Sequence, residues 1–234
     1  MTVSTPEINR FDIVDFDRTL VDSDKLLEVF MEIANDYYNI PREQIEKADR
    51  DVKLKGDSFD TASFVRDHLL AVNEEDGVEL WNKLQKQYIH ECRALNMLLP
   101  GAAELLEQLA ANDEHFGILT YGNPLWQGIK LTASGFNHVP HIVMEHKEKG
   151  RFIKHWQQED GTFKMPAEFG GIAVSRVVLI DDKAVSFAEY PEEPSEGYWV
   201  LDQSSEVLPS QMGEVPPNVR NVKDLFEVAK NLFN

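Results

Sequence analysis

The chain has 234 residues, 42% of them hydrophobic and 10% aromatic, ordinary values for one large globular domain or a core domain with an insert. Its formal net charge of −18 argues against a nucleic-acid backbone or an anionic membrane as the main partner. Any phosphorylated ligand must therefore be neutralised locally, by a metal, a lysine or helix N-termini. The single cysteine, Cys92, excludes a disulfide within the chain and suits a reducing compartment.

The opening MTVSTPEINR has neither a basic start nor an apolar run. No stretch approaches the ~18 apolar residues of a membrane span, so a soluble, cytoplasmic protein is expected. The segment FDIVDFD then reads as a short buried strand that ends in acids. From Asp22 the pattern turns helical. Leu26, Leu27, Phe30, Ile33, Ala34 and Tyr37 recur at helical spacing, and Asp22, Ser23 and Asp24 read as caps. Pro41 can open a second helix with Ile45 and Ala48, and FDTASFVRDHLLAV a third with Phe64, Val65 and Leu69. Asn73 can cap a fourth, which buries Trp81, Leu84, Tyr88 and Cys92. No strand signal interrupts residues 22–97, which read as a separate helical unit.

Beyond it the rhythm alternates. LLPGAAELLEQLA is predicted as a helix, FGILT as a strand, NPLWQGIKLTASGF as a helix and HIVME as a strand. KEKGRFIKHWQQ follows as a helix, QEDGTFKMPAEFGG as an inserted loop, RVVLIDD and YWVL as strands, and NVKDLFEVAKNLF as a closing helix. Alternation of this kind predicts an α/β fold, a Rossmann-like doubly wound parallel sheet covered on both faces. The first strand must join that sheet, so the core spans 1–21 and 98–234 and the α-helical unit is inserted between them. YPEEPSEG and SSEVLPSQMGEVPPN read as solvated acidic loops.

Three strands end in chemistry: Asp15-Phe16-Asp17-Arg18-Thr19, Thr120-Tyr121-Gly122-Asn123 and Asp181-Asp182-Lys183. In an open parallel sheet, ligands gather at the carboxyl ends of the strands near the switch in strand order. Carboxylates packed there favour Mg²⁺, which keeps some waters and takes substrate phosphate as a ligand. An Asp can act as a nucleophile, a second as acid and then base, while a Thr hydroxyl, backbone N–H groups around Gly122 and a lysine hold phosphoryl oxygens. Asp12 falls one position into the strand and reads as an edge or surface residue. The histidines show no helical i, i+4 pair for zinc.

DFDRTL resembles the first motif of the haloacid dehalogenase superfamily, Asp-x-Asp-x-Thr after an apolar strand. GILTYGN resembles its second motif and VVLIDDKAVSF its fourth, and the helical insert matches the family's C1-type cap. The resemblance implies Asp15 as nucleophile and Mg²⁺ ligand, and Asp17 as general acid/base that also binds Mg²⁺ through its carbonyl. It implies Thr120, with Tyr121 and Gly122, as phosphate-binding, and Asp182 as the direct metal ligand, with Asp181 a close second through water. The third motif, a phosphate-binding lysine, matches loosely: Lys147, Lys149, Lys154 and Lys164 compete, with Lys149 preferred for that role and Lys154 second. Arg18 departs from the small or polar residues common there. Family members lacking the second Asp are the dehalogenases, so Asp17 points to a phosphatase acting on a small phosphorylated metabolite. A phosphotransferase or phosphosugar mutase and an idle phospho-ligand binder remain as alternatives. Oligomeric state is not legible.

Overall fold

The computed structural model describes residues 9–54, 58–72, 75–112, 115–201 and 215–233. In chain order its strands are β1 (Arg10–Val14), β2 (His115–Tyr121), β3 (His141–Met144), β4 (Phe163–Lys164), β5 (Ala173–Val174), β6 (Arg176–Asp181), β7 (Glu196–Val200) and β8 (Val219–Val222). Six of these form one sheet in the order β3-β2-β1-β6-β7-β8, parallel throughout. The order runs outward from β1 in one direction and from β6 in the other, so the topological switch lies between them.

Alternation along the strands supplies two cores. Val14, Ile118, Val178 and Ile180 face one side and pack with the apolar stripes of α1 (Ser23–Tyr38), α4 (Gly77–Ala94), α5 (Ala102–Ala111), α6 (Pro124–Ala133) and α8 (Leu225–Phe233). Phe11, Ile13, Val177 and Leu179 face the other side, against Ile153 of α7 (Lys149–Lys154) and Phe169. The fold is therefore the expected α/β Rossmann-like sheet with helices on both faces.

Between β1 and α5 the described residues hold four helices, α1, α2 (Arg42–Lys53), α3 (Thr61–Val72) and α4. Asp22 caps α1 by accepting from the Lys25 N–H at 2.9 Å, and Asn39 closes it in the left-handed conformation. The fourth-helix cap expected at Asn73 lies outside the described residues. Chain entry and exit of this segment run side by side: the Asp22 N–H donates to the Met97 carbonyl at 2.9 Å, and the Leu99 N–H to the Leu20 carbonyl at 3.0 Å. Helix α6 packs against α3 and α4, and its Trp126 ring lies 4.8 Å from Phe30 and 5.9 Å from Tyr88.

Four expectations are corrected. NVKDLFEVAKNLF is not one helix, because Val219–Val222 is an edge strand; with Arg220 and Asn221 exposed between the two valines, it shows no apolar run. The loop QEDGTFKMPAEFGG carries β4, which pairs antiparallel with β5. Tyr37 is 64% exposed, and its neighbour Tyr38 packs on the core instead. Asp12 is fully buried rather than at a surface, because β1 is a central strand; Arg10 donates to it at 3.2 Å and lies over the Phe233 ring. Among the described residues no helix is long and apolar enough to cross a membrane.

Candidate active site

Register brings the acids together. β1 and β6 pair with Val14 level with Ile180, so Asp15 and Asp181 leave adjacent strands at the same height. The Asp15 N–H donates to the Ile180 carbonyl at 2.8 Å and extends that ladder by one residue. Asp15, Asp181 and Asp182 each offer a carboxylate oxygen within 4.8 Å of the others. Their side chains are 5%, 1% and 4% exposed, so water does little to separate three like charges.

Lys149, the first residue of α7, enters this cluster from the neighbouring strand connection. Its ammonium bonds the Asp15 Oδ1 and reaches the Asp181 Oδ2 at 2.6 Å. Burial opposes its charge, but the Asp15 and Asp181 carboxylates outweigh burial and hold it above the ordinary lysine range. Gly150 makes this approach possible, since a Cβ there would stand 2.6 Å from the Ala188 carbonyl oxygen. Of the competing lysines, Lys147, Lys154 and Lys164 are exposed, and only Lys147 of these reaches the cavity described below, over the Tyr121 ring at 5.4 Å.

The remaining bonds of the cluster are local. Thr19 Oγ1 donates to Asp15 Oδ2 at 2.9 Å, which gives a role to the last residue of the first motif. The Lys183 N–H donates to Asp181 Oδ1 at 2.8 Å. Among the described residues Asp182 Oδ1 has no hydrogen-bond partner and only a looser ion-pair contact with the Lys183 ammonium at 3.4 Å. Burial and then the Asp15 charge push the Asp182 carboxyl up to about 7. Burial likewise raises Asp15, against the pull of Lys149.

Asp17 lies two residues beyond Asp15, and both line one cavity of about 510 Å³. Its carboxylate is bonded by the Lys130 ammonium through Oδ1 and by the Gln127 amide at 2.7 Å through Oδ2, both from α6. Gln127 also donates to the Tyr121 carbonyl at 2.8 Å. It fits there because residue 122 is glycine: at φ +148°, a Cβ would meet the Gln127 amide nitrogen at 2.5 Å. The Gly122 N–H donates to the Met144 carbonyl at 3.1 Å, so it is not the free phosphate donor that the sequence suggested. Thr120 does line the cavity, fully buried, with a hydroxyl that has no hydrogen-bond partner among the described residues.

Arg18 takes the left-handed conformation at φ 62° in the turn leading to α1, and its guanidinium bonds Asp24 at 2.9 Å. The helical segment adds Ser23, Leu27, Asp49, Ser58, Phe59 and Thr61 to the cavity wall. Asn123, at the start of α6, donates to the Ser58 carbonyl at 3.3 Å and ties the second-motif loop to that wall. Sequence reasoning missed Gln127 and Lys130. The available signal was a lysine on the buried face of α6, four residues after Trp126 and flanked by Ile129 and Leu131.

The fold recurs across solved structures. A haloacid dehalogenase-like protein from Burkholderia xenovorans LB400 superposes with a TM-score of 0.64 over 96% of each chain at 16% identity. The fold is that of the haloacid dehalogenase-like hydrolases. A HAD phosphatase from Thermococcus onnurineus follows at TM-score 0.55 and 16% identity, covering 96% of this chain and 98% of its own. YfnB from Bacillus subtilis, in a magnesium-bound form, gives TM-score 0.54 and 18% identity over 97% of this chain and 100% of its own. Dehalogenases share the HAD-like fold as well. No protein-family model and no curated protein matches the sequence.

The carboxylate set fits a hard divalent cation. Three buried acids bring carboxylate oxygens within 4.8 Å of one another, one Asp182 oxygen has no hydrogen-bond donor among the described residues, and the cluster offers only oxygen ligands, which is the chemistry of Mg²⁺ rather than of a softer metal.

Proposed function

We propose that the protein is a Mg²⁺-dependent phosphatase that hydrolyses a small phosphomonoester through an aspartyl-phosphate on Asp15. The observation that carries this reading is Asp17, a second carboxylate in the same cavity as the nucleophile. A halide leaves without a proton, whereas an alkoxide needs one, so a positioned acid beside Asp15 supports an oxygen leaving group over a halogen.

Asp15, the Asp17 carbonyl and Asp182 would hold the cation, with Asp181 behind them. Mg²⁺ there would supply positive charge against the phosphoryl oxygens. An Asp15 oxygen attacks phosphorus as the bond to the leaving oxygen breaks, and Asp17 gives that oxygen a proton. Asp17 then takes a proton from the water that cleaves the acyl phosphate and releases inorganic phosphate. Lys149 keeps Asp15 oriented and offsets the charge of Asp181, while the Thr120 hydroxyl donates to a phosphoryl oxygen. The cavity volume suits a metabolite rather than a polymer. With no disulfide to form, the cytoplasm is the proposed location.

The test is a hydrolysis screen over sugar phosphates, nucleotides and phospho-amino acids, with and without Mg²⁺, read as released phosphate. Wild-type turnover that needs Mg²⁺ and vanishes in Asp15→Asn is expected. Halide release from 2-haloacids with no phosphate release from any ester would overturn the reading.

A further inference from the structure

From the contacts that α6 makes with Asp17, we infer that Lys130 is a positioning residue for the acid/base, acting together with Gln127. The inference rests on the phosphatase reading and adds to it the device that holds Asp17 in place. Asp17 has to work beside a phosphoryl dianion that repels it, in a cavity that Asp15 and Asp181 also line. An ammonium bonded to one of its oxygens offsets that repulsion, and an amide bonded to the other fixes the plane of the carboxylate.

Lys130 is itself built into the protein rather than drawn from solvent. Its side chain is 5% exposed, and its nitrogen lies 5.8 Å from the Phe16 ring centre and 5.6 Å from that of Trp126. A lysine buried between two rings has lost most of its hydration, and the carboxylate of Asp17 is its charge partner. Gln127, 3% exposed, is tied at the same time to the Tyr121 carbonyl, so the amide cannot turn away from Asp17 without breaking a second bond. Both residues sit on one face of α6, one turn apart. Trp126 anchors that helix against Phe30 and Tyr88 of the inserted segment. The Asp17 carboxylate is thus set by a rigid helix and not by the turn on which Asp17 itself stands.

The step affected is leaving-group protonation, in which the proton passes from the Asp17 carboxyl to the ester oxygen as its bond to phosphorus breaks. Loss of positioning should therefore be felt with a poor leaving group and spared with a good one. The experiment compares Lys130→Met, Lys130→Arg and wild type on benzyl phosphate, whose alkoxide needs a proton, and 4-nitrophenyl phosphate, whose phenolate does not. The expected result in Lys130→Met is a fall in kcat/KM of about tenfold or more on the benzyl ester, short of the ~10²–10⁴-fold of losing the acid itself. On the nitrophenyl ester the fall should be under about threefold, and Lys130→Arg should recover most of the benzyl activity. Should Lys130→Met fail to fold, Gln127→Leu carries the same comparison, with a smaller split in the same direction. An equal loss on both esters, or no loss on either, overturns the positioning role while leaving the phosphatase reading in place. A wild type that cleaves neither these esters nor any other phosphoester overturns both.

Discussion

Replacing Lys149 with methionine removes an ammonium that bonds both Asp15 and Asp181, at nearly constant side-chain length. In wild type that ammonium, 3% exposed, satisfies two buried carboxylates, and Asp182 lies within 4.8 Å of both. Breaking a buried ion pair by deleting one partner costs about 3–5 kcal/mol, because the charge left behind is neither solvated nor paired. Two carboxylates lose their partner here, which places the expected loss in the upper half of that range. For a chain of this size each kcal/mol lowers Tm by roughly 2–4 °C, so Lys149→Met should melt about 8–20 °C below wild type in EDTA. Saturating Mg²⁺ should return part of the deficit, by about 2.7 kcal/mol at a hundred times the dissociation constant. Adding Asp181→Asn should also recover stability, because it removes one of the uncompensated charges. The assay is a calorimetric melt of the three proteins, each with EDTA and with Mg²⁺. A Tm for Lys149→Met within about 2 °C of wild type in EDTA would refute the reasoning, since it would mean that the carboxylates do not depend on this lysine. A double variant less stable than Lys149→Met would do the same.

Asp15→Asn should keep the wild-type fold by circular dichroism and lose turnover on every phosphoester, because a neutral amide cannot attack phosphorus; measurable residual phosphate release at the wild-type rate would remove Asp15 from the chemistry. Asp182→Asn should weaken Mg²⁺ binding measured calorimetrically, and unchanged affinity would transfer the direct-ligand role to Asp181. Gly150→Ala drives a methyl group into the Ala188 carbonyl and should cost about 1–3 kcal/mol, with a matching fall in Tm and in turnover as Lys149 is displaced. Cys92 is 1% exposed and burial pushes its thiol up to about 11, so native protein at pH 8 should resist iodoacetamide and take up one equivalent only after unfolding in guanidinium, counted by mass spectrometry.

The elements most legible in the sequence were those whose apolar residues lie on one geometric stripe. Leu26, Phe30, Ile33 and Ala34 repeat at helical spacing because α1 buries a single face, and RVVLID reads as a continuous apolar run because β6 is covered on both sides. Legibility failed where that link between burial and pattern is broken. The edge strand β8 leaves Arg220 and Asn221 exposed between two buried valines, so its four residues look like the start of the helix that follows. Asp12 failed in the opposite sense. A carboxylate in a central strand is a cost that only a partner can offset, and Arg10, two residues away on the same face of β1, was not read as that partner.

The site divides in the same way. Asp15, Asp17, Thr120, Asp181 and Asp182 could be read because each stands at the end of a strand, where the backbone itself fixes the position and sequence spacing records it. Residues whose side chains reach those acids from a helix leave no such record. Lys149 stood out only as one of four lysines before β6. What distinguishes it is the space left by Gly150 against the Ala188 carbonyl, a contact between segments far apart in sequence. Lys130 is the extreme case, because a lone lysine in an apolar helix reads as a snorkelling surface residue until its nitrogen is found beside a carboxylate 113 residues earlier in the chain. Strand ends thus place the acids, and tertiary packing supplies the cations that pair with them. The bases of such a site are therefore the part most easily missed in a sequence, and the part where substitution is most informative.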